Sequence, residues 1–167
     1  QLMREYRKPL IMVAPKTLLR LPAAMSKIKE MTEGNEFQPL IADLRELKKV
    51  NTLVLCSGKF YYEIEKERAN RGIENMAIVR IEELCPLPTK PLQAILDKFK
   101  SARLIWCQEE HRNMGPYDYA APRIQSLLSS GRTLEYVGRK VASAPAAGYS
   151  QLHKAELSDI WKSLFNE

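Results

Sequence analysis

At 167 residues, with 45% hydrophobic and 28% charged residues, the sequence fits one globular domain with a sizeable core, and neither disorder nor a coiled coil is indicated. An excess of 26 Lys and Arg over 20 Asp and Glu gives a net charge of +6, which favours anionic partners. The basic residues are scattered along the sequence, which disfavours nucleic acid as a partner. The longest apolar run, residues 10–14, is too short to span a bilayer, so no membrane partner is expected.

The first half of the chain alternates between apolar runs and helix signals. In order, the predicted elements are a strand at residues 9–14, a helical turn at 16–20, a helix at 22–34, a strand at 52–57 and a helix at 59–71. Pro15 closes the first strand, and Pro22 stands at the first position of its helix, where the missing N–H is tolerated. The second strand is apolar enough on both faces to be central in a sheet that is covered on both sides.

The second half repeats this alternation. Its predicted elements are a strand at residues 76–81, a helix from about Thr89, a strand at 103–108, a helix from about Asp118, a strand at 133–137 and a helix from about Ser150. Pro122 is tolerated only in the first turn of a helix, so its helix should begin near Asp118. Residues 138–148 are too rich in small residues and too interrupted by Pro to be regular. Five strands with four helical connections predict an α/β fold, a three-layer α/β/α sandwich with a mostly parallel sheet.

One domain is expected over residues 1–167. Because the chain opens with Gln rather than Met and enters a predicted strand within ten residues, we expect it to be a piece of a longer protein. Its cysteines, Cys56, Cys85 and Cys107, have no CxxC or His partner spacing, so neither a disulfide framework nor a metal site is expected, and a reducing compartment is favoured. Cys56 and Cys107 lie in apolar runs and are expected to be core residues rather than nucleophiles.

Polar residues concentrate directly after the fourth predicted strand. Glu109, Glu110 and His111 follow its apolar run, at the kind of strand end where α/β proteins build their sites. The alternative is a solvated corner. We expect Glu109 or Glu110 to be partly buried and hydrogen-bonded, as a structural corner of the fold. His111 is a better candidate for chemistry than His153, which should be a packed histidine, but no Ser or Cys nucleophile completes a triad with it.

Four basic residues could form an anion site. Lys59 follows Ser57-Gly58 at a helix start, where backbone N–H groups and the helix dipole favour an anion. Arg139 and Lys140 follow the fifth strand, and Arg20 follows the first, so a shared sheet edge could gather all four. The alternative is a tight turn at Gly58 and unrelated surface cations, each contributing little.

Several blocks of sequence, taken together, resemble a known family along essentially the whole chain. They are residues 7–11 with 15–20, Cys56-Ser57-Gly58-Lys59-Phe60-Tyr61-Tyr62, residues 80–88, residues 106–115, and residues 138–139 with 143–148. The chain resembles the C-terminal region of the thiamine-diphosphate-dependent dehydrogenase component of the 2-oxoglutarate dehydrogenase complex. The related component that acts on 2-oxoadipate is similar over the same blocks. The resemblance therefore does not distinguish a 2-oxoglutarate component from a 2-oxoadipate component.

The resemblance implies a transketolase C-terminal-like fold, whose mixed five-stranded sheet has one antiparallel strand. It implies a homodimeric parent enzyme of the tricarboxylic acid cycle, which decarboxylates 2-oxoglutarate on thiamine diphosphate with Mg²⁺ and succinylates a lipoyl group of the dihydrolipoamide succinyltransferase component. The family's Gly-Asp-Gly motif and activating glutamate lie in upstream domains. The fragment alone is therefore expected to be an assembly and regulatory domain of the parent enzyme. It is expected to bind no cofactor and to hold no catalytic residue. The parent would lie in the mitochondrial matrix, or in the cytoplasm of a bacterium.

The resemblance also implies an acyl-CoA activator in some members of the family, held through its phosphate groups. Arg20, Lys59, Arg139 and Lys140 match basic residues of those members, and an acyl-CoA or nucleotide effector is therefore expected. Two other classes stay open, namely a stand-alone nucleotide- or CoA-binding module and a basic nucleic-acid-binding domain.

Overall fold

The computed structural model describes residues 5–47 and 49–166, which fall into two compact units divided after Asn35. Within residues 5–35, the first unit contains three short 3₁₀ turns, Lys16–Arg20, Pro22–Ala24 and Ile28–Met31. The prediction of a helix over residues 22–34 is wrong. None of these residues is buried, and an isolated helix of that length has little stability without a packed face.

The strand predicted over residues 9–14 is also wrong for this structure. The segment is assigned no strand, and the side chains of Leu10 to Val13 are exposed. A strand needs a neighbour to pair its backbone groups, and residues 5–35 of the first unit contain no strand that could supply one.

The described part of the second unit contains five strands and four helices. The strands are β1 (Leu40–Ile41), β2 (Thr52–Cys56), β3 (Met76–Ile81), β4 (Arg103–His111) and β5 (Leu134–Arg139). The helices are α1 (Phe60–Asn70), α2 (Thr89–Lys98), α3 (Tyr117–Gln125) and α4 (Ser150–Phe165). Among the described residues, no helix is long and apolar enough to cross a membrane.

The strands form one mixed sheet in the order β1-β3-β2-β4-β5. Neighbours pair in parallel except β1, which is antiparallel to β3 with Leu40 opposite Ile81. The predicted α/β fold with a mixed, mostly parallel five-stranded sheet is confirmed. Its short antiparallel strand is β1, which lies between the elements predicted at 22–34 and 52–57, where no strand was predicted.

Helices cover both faces of the sheet. Residues of β4 alternate between the two layers: Trp106 packs in the core beside α2 and α3, whereas Ile105 packs in the core beside α1 and α4. Both residues are fully buried. The continuous apolar runs of β2, β3 and β4 follow from this double cover, because a central strand needs apolar side chains on both faces.

Three boundaries differ from their predictions. Strand β4 extends through a bulge to His111, and β5 includes Gly138 and Arg139, which were predicted to lie in a loop. A Cβ atom at Gly138 would collide with the Tyr136 side chain and lie 2.9 Å from the main-chain oxygen of Gln108, so this strand end is tight enough to require glycine. Pro122 lies in the second turn of α3 rather than its first.

A buried ion pair ties the segment after β1 to α1 and β3. Arg68 of α1 is almost wholly buried and contacts the carboxylates of Asp43 and Glu65. Asp43 also accepts a hydrogen bond from the backbone N–H of Ile78 at 2.9 Å. Burial acts to raise the pKa of Asp43, but the hydrogen bonds from Arg68, Ile78 and Arg45 outweigh it and hold this pKa below its ordinary value of 3.8.

Candidate functional site

The carboxyl ends of β2, β3, β4 and β5 share one edge of the sheet, because these strands are parallel. After β2 the chain turns to the layer of α1, and after the neighbouring β4 it turns to the opposite layer, in which α3 packs. Connections that leave adjacent strands in opposite directions open a crevice, the usual place for a site in such sheets. The candidate site is therefore the edge between β2 and β4.

Lys59 lies at this crevice, at the start of α1. It follows Gly58, whose φ of 63° lets the chain turn sharply out of β2. The Lys59 Nζ atom lies 2.5 Å from Glu109 Oε2 and 2.8 Å from Glu63 Oε1. Burial acts to lower the pKa of Lys59, but the two carboxylates outweigh it and raise this pKa above its usual value. The ammonium group is thus held charged between two carboxylates.

The two glutamates of the predicted corner differ in their surroundings. Glu109 is half-buried and bridges the end of β4 to α1 through Lys59. Glu110 is exposed, and its main-chain oxygen accepts a hydrogen bond from the Tyr136 hydroxyl at 3.2 Å. Glu109 therefore has the contacts of a corner residue through its side chain, and Glu110 through its backbone. Their role as a structural corner stays a prediction.

Gln108 organises this corner, a role that the sequence reasoning missed. Its buried side chain accepts a hydrogen bond from Trp106 Nε1 at 2.9 Å and donates to the carbonyl oxygens of Met114 at 2.8 Å and His111 at 3.1 Å. In the sequence, this role is indicated by a lone amide residue at the end of an apolar run, because a buried side-chain amide needs several hydrogen-bond partners.

Tyr136 supports the same corner from β5. Its single hydroxyl proton is shared between the Arg139 carbonyl oxygen at 2.8 Å and the Glu110 carbonyl oxygen at 3.2 Å, and its ring lies 4.7 Å from that of Tyr117. Burial, as the main cause, raises the pKa of Tyr136 to about 12. The hydroxyl therefore stays protonated at neutral pH and acts as a fixed hydrogen-bond donor.

Arg139 lies at the end of β5 and is buried against α4. Its Nη1 atom lies 3.0 Å from Glu156 Oε2, and its Nη2 atom lies 2.7 Å from His153 Nδ1. Since guanidinium can only donate, His153 must accept through Nδ1 and carry its proton on Nε2. His153 is thus hydrogen-bonded, as predicted, and Arg139 is matched by a carboxylate.

The two other predicted residues at this edge differ in their exposure. Lys140 is exposed, and its main-chain oxygen lies 2.9 Å from Nδ1 of His111. Because a carbonyl oxygen can only accept, His111 donates through Nδ1. The His111 side chain is buried, so this histidine fastens the chain after β5 to the end of β4.

The structure brings Lys59 and Arg139 to the same edge and to the same face of the sheet, that of α1 and α4. Each is already paired with a carboxylate of a neighbouring element. Arg20 ends the first 3₁₀ turn of the other unit and is exposed, and its membership of the site stays a prediction.

The cysteines are all free thiols. Burial raises the pKa of Cys56 to about 12 and that of Cys107 well above its ordinary value. Because the thiolate is the reactive form, neither has the environment of a nucleophile at neutral pH. Within residues 5–47 and 49–166, no group of three or more His, Cys, Asp or Glu side chains is placed to hold a metal ion.

These features define an α/β/α sandwich domain in which two cations near strand ends are paired with carboxylates of neighbouring elements. The chain belongs to the family described as 2-oxoglutarate dehydrogenase C-terminal, whose sequence profile matches residues 25–165.

Curated relatives resemble the chain along nearly its whole length. It is 41% identical to a 2-oxoglutarate dehydrogenase-like, mitochondrial protein of Rattus norvegicus over 171 residues, which cover 99% of this chain and 17% of the relative. It is 44% identical to the 2-oxoadipate dehydrogenase complex component E1 of Homo sapiens over 169 residues, which cover 99% of this chain and 18% of the relative. The chain thus spans less than a fifth of the length of these relatives.

Proposed function

We propose that this chain is the C-terminal assembly and regulatory domain of a thiamine-diphosphate-dependent 2-oxoglutarate dehydrogenase. The parent enzyme would decarboxylate 2-oxoglutarate and pass the succinyl group to a lipoyl group of the dihydrolipoamide succinyltransferase component, in the tricarboxylic acid cycle. Whole-chain similarity to a mitochondrial 2-oxoglutarate dehydrogenase-like protein carries this proposal and favours the mitochondrial matrix. The human 2-oxoadipate component, at 44% identity, supports 2-oxoadipate as the alternative substrate.

An assembly role fits the chemistry of the described residues. Among the described residues, Lys59 is paired with Glu109 and Arg139 with Glu156, and burial raises the pKa of the Cys56 thiol to about 12. Thiamine diphosphate would be held through Mg²⁺, which requires several oxygen ligands, and the described carboxylates are not clustered for it. The cofactor would therefore be held by other parts of the parent, which we propose to be a homodimer.

Purified full-length parent enzyme tests this proposal. With thiamine diphosphate and Mg²⁺, it should decarboxylate 2-oxoglutarate with a higher kcat/KM than 2-oxoadipate. The reverse order would assign the enzyme to 2-oxoadipate, and no turnover of either acid would refute the proposed activity. Removal of residues 36–167 should abolish the dimer, as measured by light scattering, whereas a dimer that survives would refute the assembly role.

A second function, an effector site for a nucleotide or acyl-CoA phosphate, is favoured by the position of Lys59. This cation stands at the crevice between β2 and β4 and at the start of a helix of eleven residues, where a phosphate is stabilised. Arg139, the last residue of β5, and Lys140, directly after it, would add charge. Because Glu109 and Glu63 already contact Lys59, a phosphate would have to displace at least one of them.

Calorimetric titration of the parent enzyme with CoA and ATP at low salt tests this site. Lys59→Ala should weaken binding about 10–100-fold, the range expected for losing a charged hydrogen bond. Lys66→Ala, an exposed lysine of the same helix, is the matched control and should have no effect. Glu109→Gln should strengthen binding, because it removes a competing carboxylate. Equal affinity in all variants, or equal binding of pantetheine, which lacks phosphate, would refute the site.

A further inference from the structure

The amino ends of the parallel strands carry a basic surface, at the edge of the sheet opposite to the candidate site. Two open depressions of about 400 and 450 Å³ adjoin there, and Ser101 lines both of them. The backbone N–H of Arg103 donates to the carbonyl oxygen of Asn51 at 2.8 Å, which joins the two depressions. We call them together the amino-edge surface. The basic residues that line it are Lys49, Lys98, Lys100, Arg103 and Arg132.

The fold gathers these cations from segments that are far apart in the sequence. Lys49 precedes β2, Lys98 ends α2 and Arg132 precedes β5. Among the described residues that line the amino-edge surface, Glu135 is the one carboxylate, so positive charge is in clear excess. Cations gathered in this way repel one another and attract anions, most strongly at low ionic strength. The surface therefore has the charge of a site for an acidic partner.

The two arginines of this surface are engaged within the fold, whereas its three lysines are not. Arg132 donates to main-chain carbonyl oxygens at and beyond the end of α2, and Arg103 pairs with Glu135 at 2.7 Å. The three lysines are exposed, and in the part of the chain that the structure describes no ion pair joins them to a carboxylate. Their ammonium groups are thus available to the carboxylates of a partner.

We propose that the amino-edge surface binds an acidic segment of a separate partner protein through these three lysines. A polypeptide fits because the cations are spread over two depressions, as carboxylates are spread along an extended acidic segment. Nucleic acid fits less well, because single strands stack on aromatic rings, and the one aromatic residue among the described lining residues, Phe99, is half-buried. Phosphate groups also favour arginine forks, and both arginines here are engaged. The inference does not depend on the proposed function.

Fluorescence anisotropy of a labelled glutamate peptide, titrated with the full-length protein at low salt, tests this inference. The unsubstituted protein should bind the peptide, and about 1 M salt should abolish binding, because it screens charges beyond about 3 Å. A triple variant should weaken binding at least about tenfold, because it replaces three attractions with repulsions. Its substitutions are Lys49→Glu, Lys98→Glu and Lys100→Glu.

A matched variant separates the charge of this surface from the charge of the whole protein. It reverses three exposed lysines elsewhere in the second unit and should leave binding nearly unchanged; its substitutions are Lys66→Glu, Lys90→Glu and Lys154→Glu. Equal losses in the two triple variants, or no binding to the unsubstituted protein, would overturn the proposal. If the first variant does not fold, the corresponding triple Lys→Gln variant, which only removes charge, decides the question. Tighter binding of a single-stranded oligonucleotide of equal charge, lost in the same variant, would assign the surface to nucleic acid and overturn the proposal.

Discussion

At the scale of single residues, Asp43 and Arg68 show how much can depend on one buried charge. Arg68 is 2% exposed and contacts Asp43 and Glu65, and it also donates to the Met76 carbonyl oxygen at 3.0 Å. Removing one partner of a buried pair leaves an uncompensated charge, which costs more than the pair itself contributes. Neither residue stands out in the sequence, because a helix arginine and a loop aspartate are ordinarily exposed.

We expect Asp43→Ala to destabilise the protein by about 3 kcal/mol, the lower end of the range for a broken buried pair, because Glu65 still contacts Arg68. Urea denaturation measures the change. Asp159→Ala, which breaks an exposed pair with Lys162, is the control and should change stability by less than about 0.5 kcal/mol. Equal effects of the two substitutions would show that the Asp43 pair is not important for stability.

The same carboxylate predicts a pH dependence. Because folding lowers the pKa of Asp43 below 3.8, its contribution to stability is fully present above pH 3.8 and is lost as the pH falls through the folded-state pKa. The difference in unfolding free energy between the unsubstituted protein and Asp43→Asn should therefore shrink below pH 3.8. Denaturation series from neutral to acid pH check this, and a difference that stays constant in acid contradicts it.

At the scale of elements, the end of β4 depends on Gln108. We expect Gln108→Leu to cost at least about 2 kcal/mol, because Trp106 Nε1 loses its acceptor and two carbonyl oxygens lose a donor. Denaturation followed by tryptophan fluorescence measures the loss. Gln93→Leu on α2 removes only an exposed hydrogen bond to Asp97 and should be near neutral. A neutral Gln108→Leu would mean that the corner is held by other contacts.

The elements differ in how well the sequence predicts them. Strand β3 was predicted with its observed bounds, because its apolar run is bounded by polar residues and packs on both faces. Strand β1 was missed because two residues carry no pattern, and it exists only by pairing with β3. The segment 9–14 has the pattern but lacks the neighbour. Local composition thus predicts a strand only where the rest of the chain supplies a partner.

The candidate site shows the same limit. Parallel strands share an edge, so the sequence could predict that Lys59 and Arg139 lie near one another. It could not predict their partners, because Glu109 and Glu156 belong to other elements whose distance depends on packing. The network of Gln108 was missed for the same reason, since its main-chain partners lie in a bulge that no local pattern predicts.

At the scale of the whole molecule, buried charge links the last helix to the sheet. Glu156 of α4 is the carboxylate that faces Arg139, whose side chain is 5% exposed. Glu156→Gln should destabilise the protein by about 1–3 kcal/mol, because it leaves a buried charge with weaker partners. In this variant, limited proteolysis should cleave α4 more readily than β2. Glu135→Gln, which alters an exposed pair with Arg103, is the control, and equal cleavage in both variants would contradict this role.

The ion pair between Lys59 and Glu109 also bears on the order in which the protein folds. Its two residues are far apart along the chain, and β2 and β4, near whose ends they lie, are adjacent in the sheet although β3 lies between them in sequence. Closing so long a loop is entropically unfavourable, so this contact should form after the barrier to folding has been crossed. A contact that is absent from the transition state changes the unfolding rate and leaves the folding rate nearly unaltered. The ion pair should therefore slow the loss of the native sheet once it has formed, rather than speed its formation.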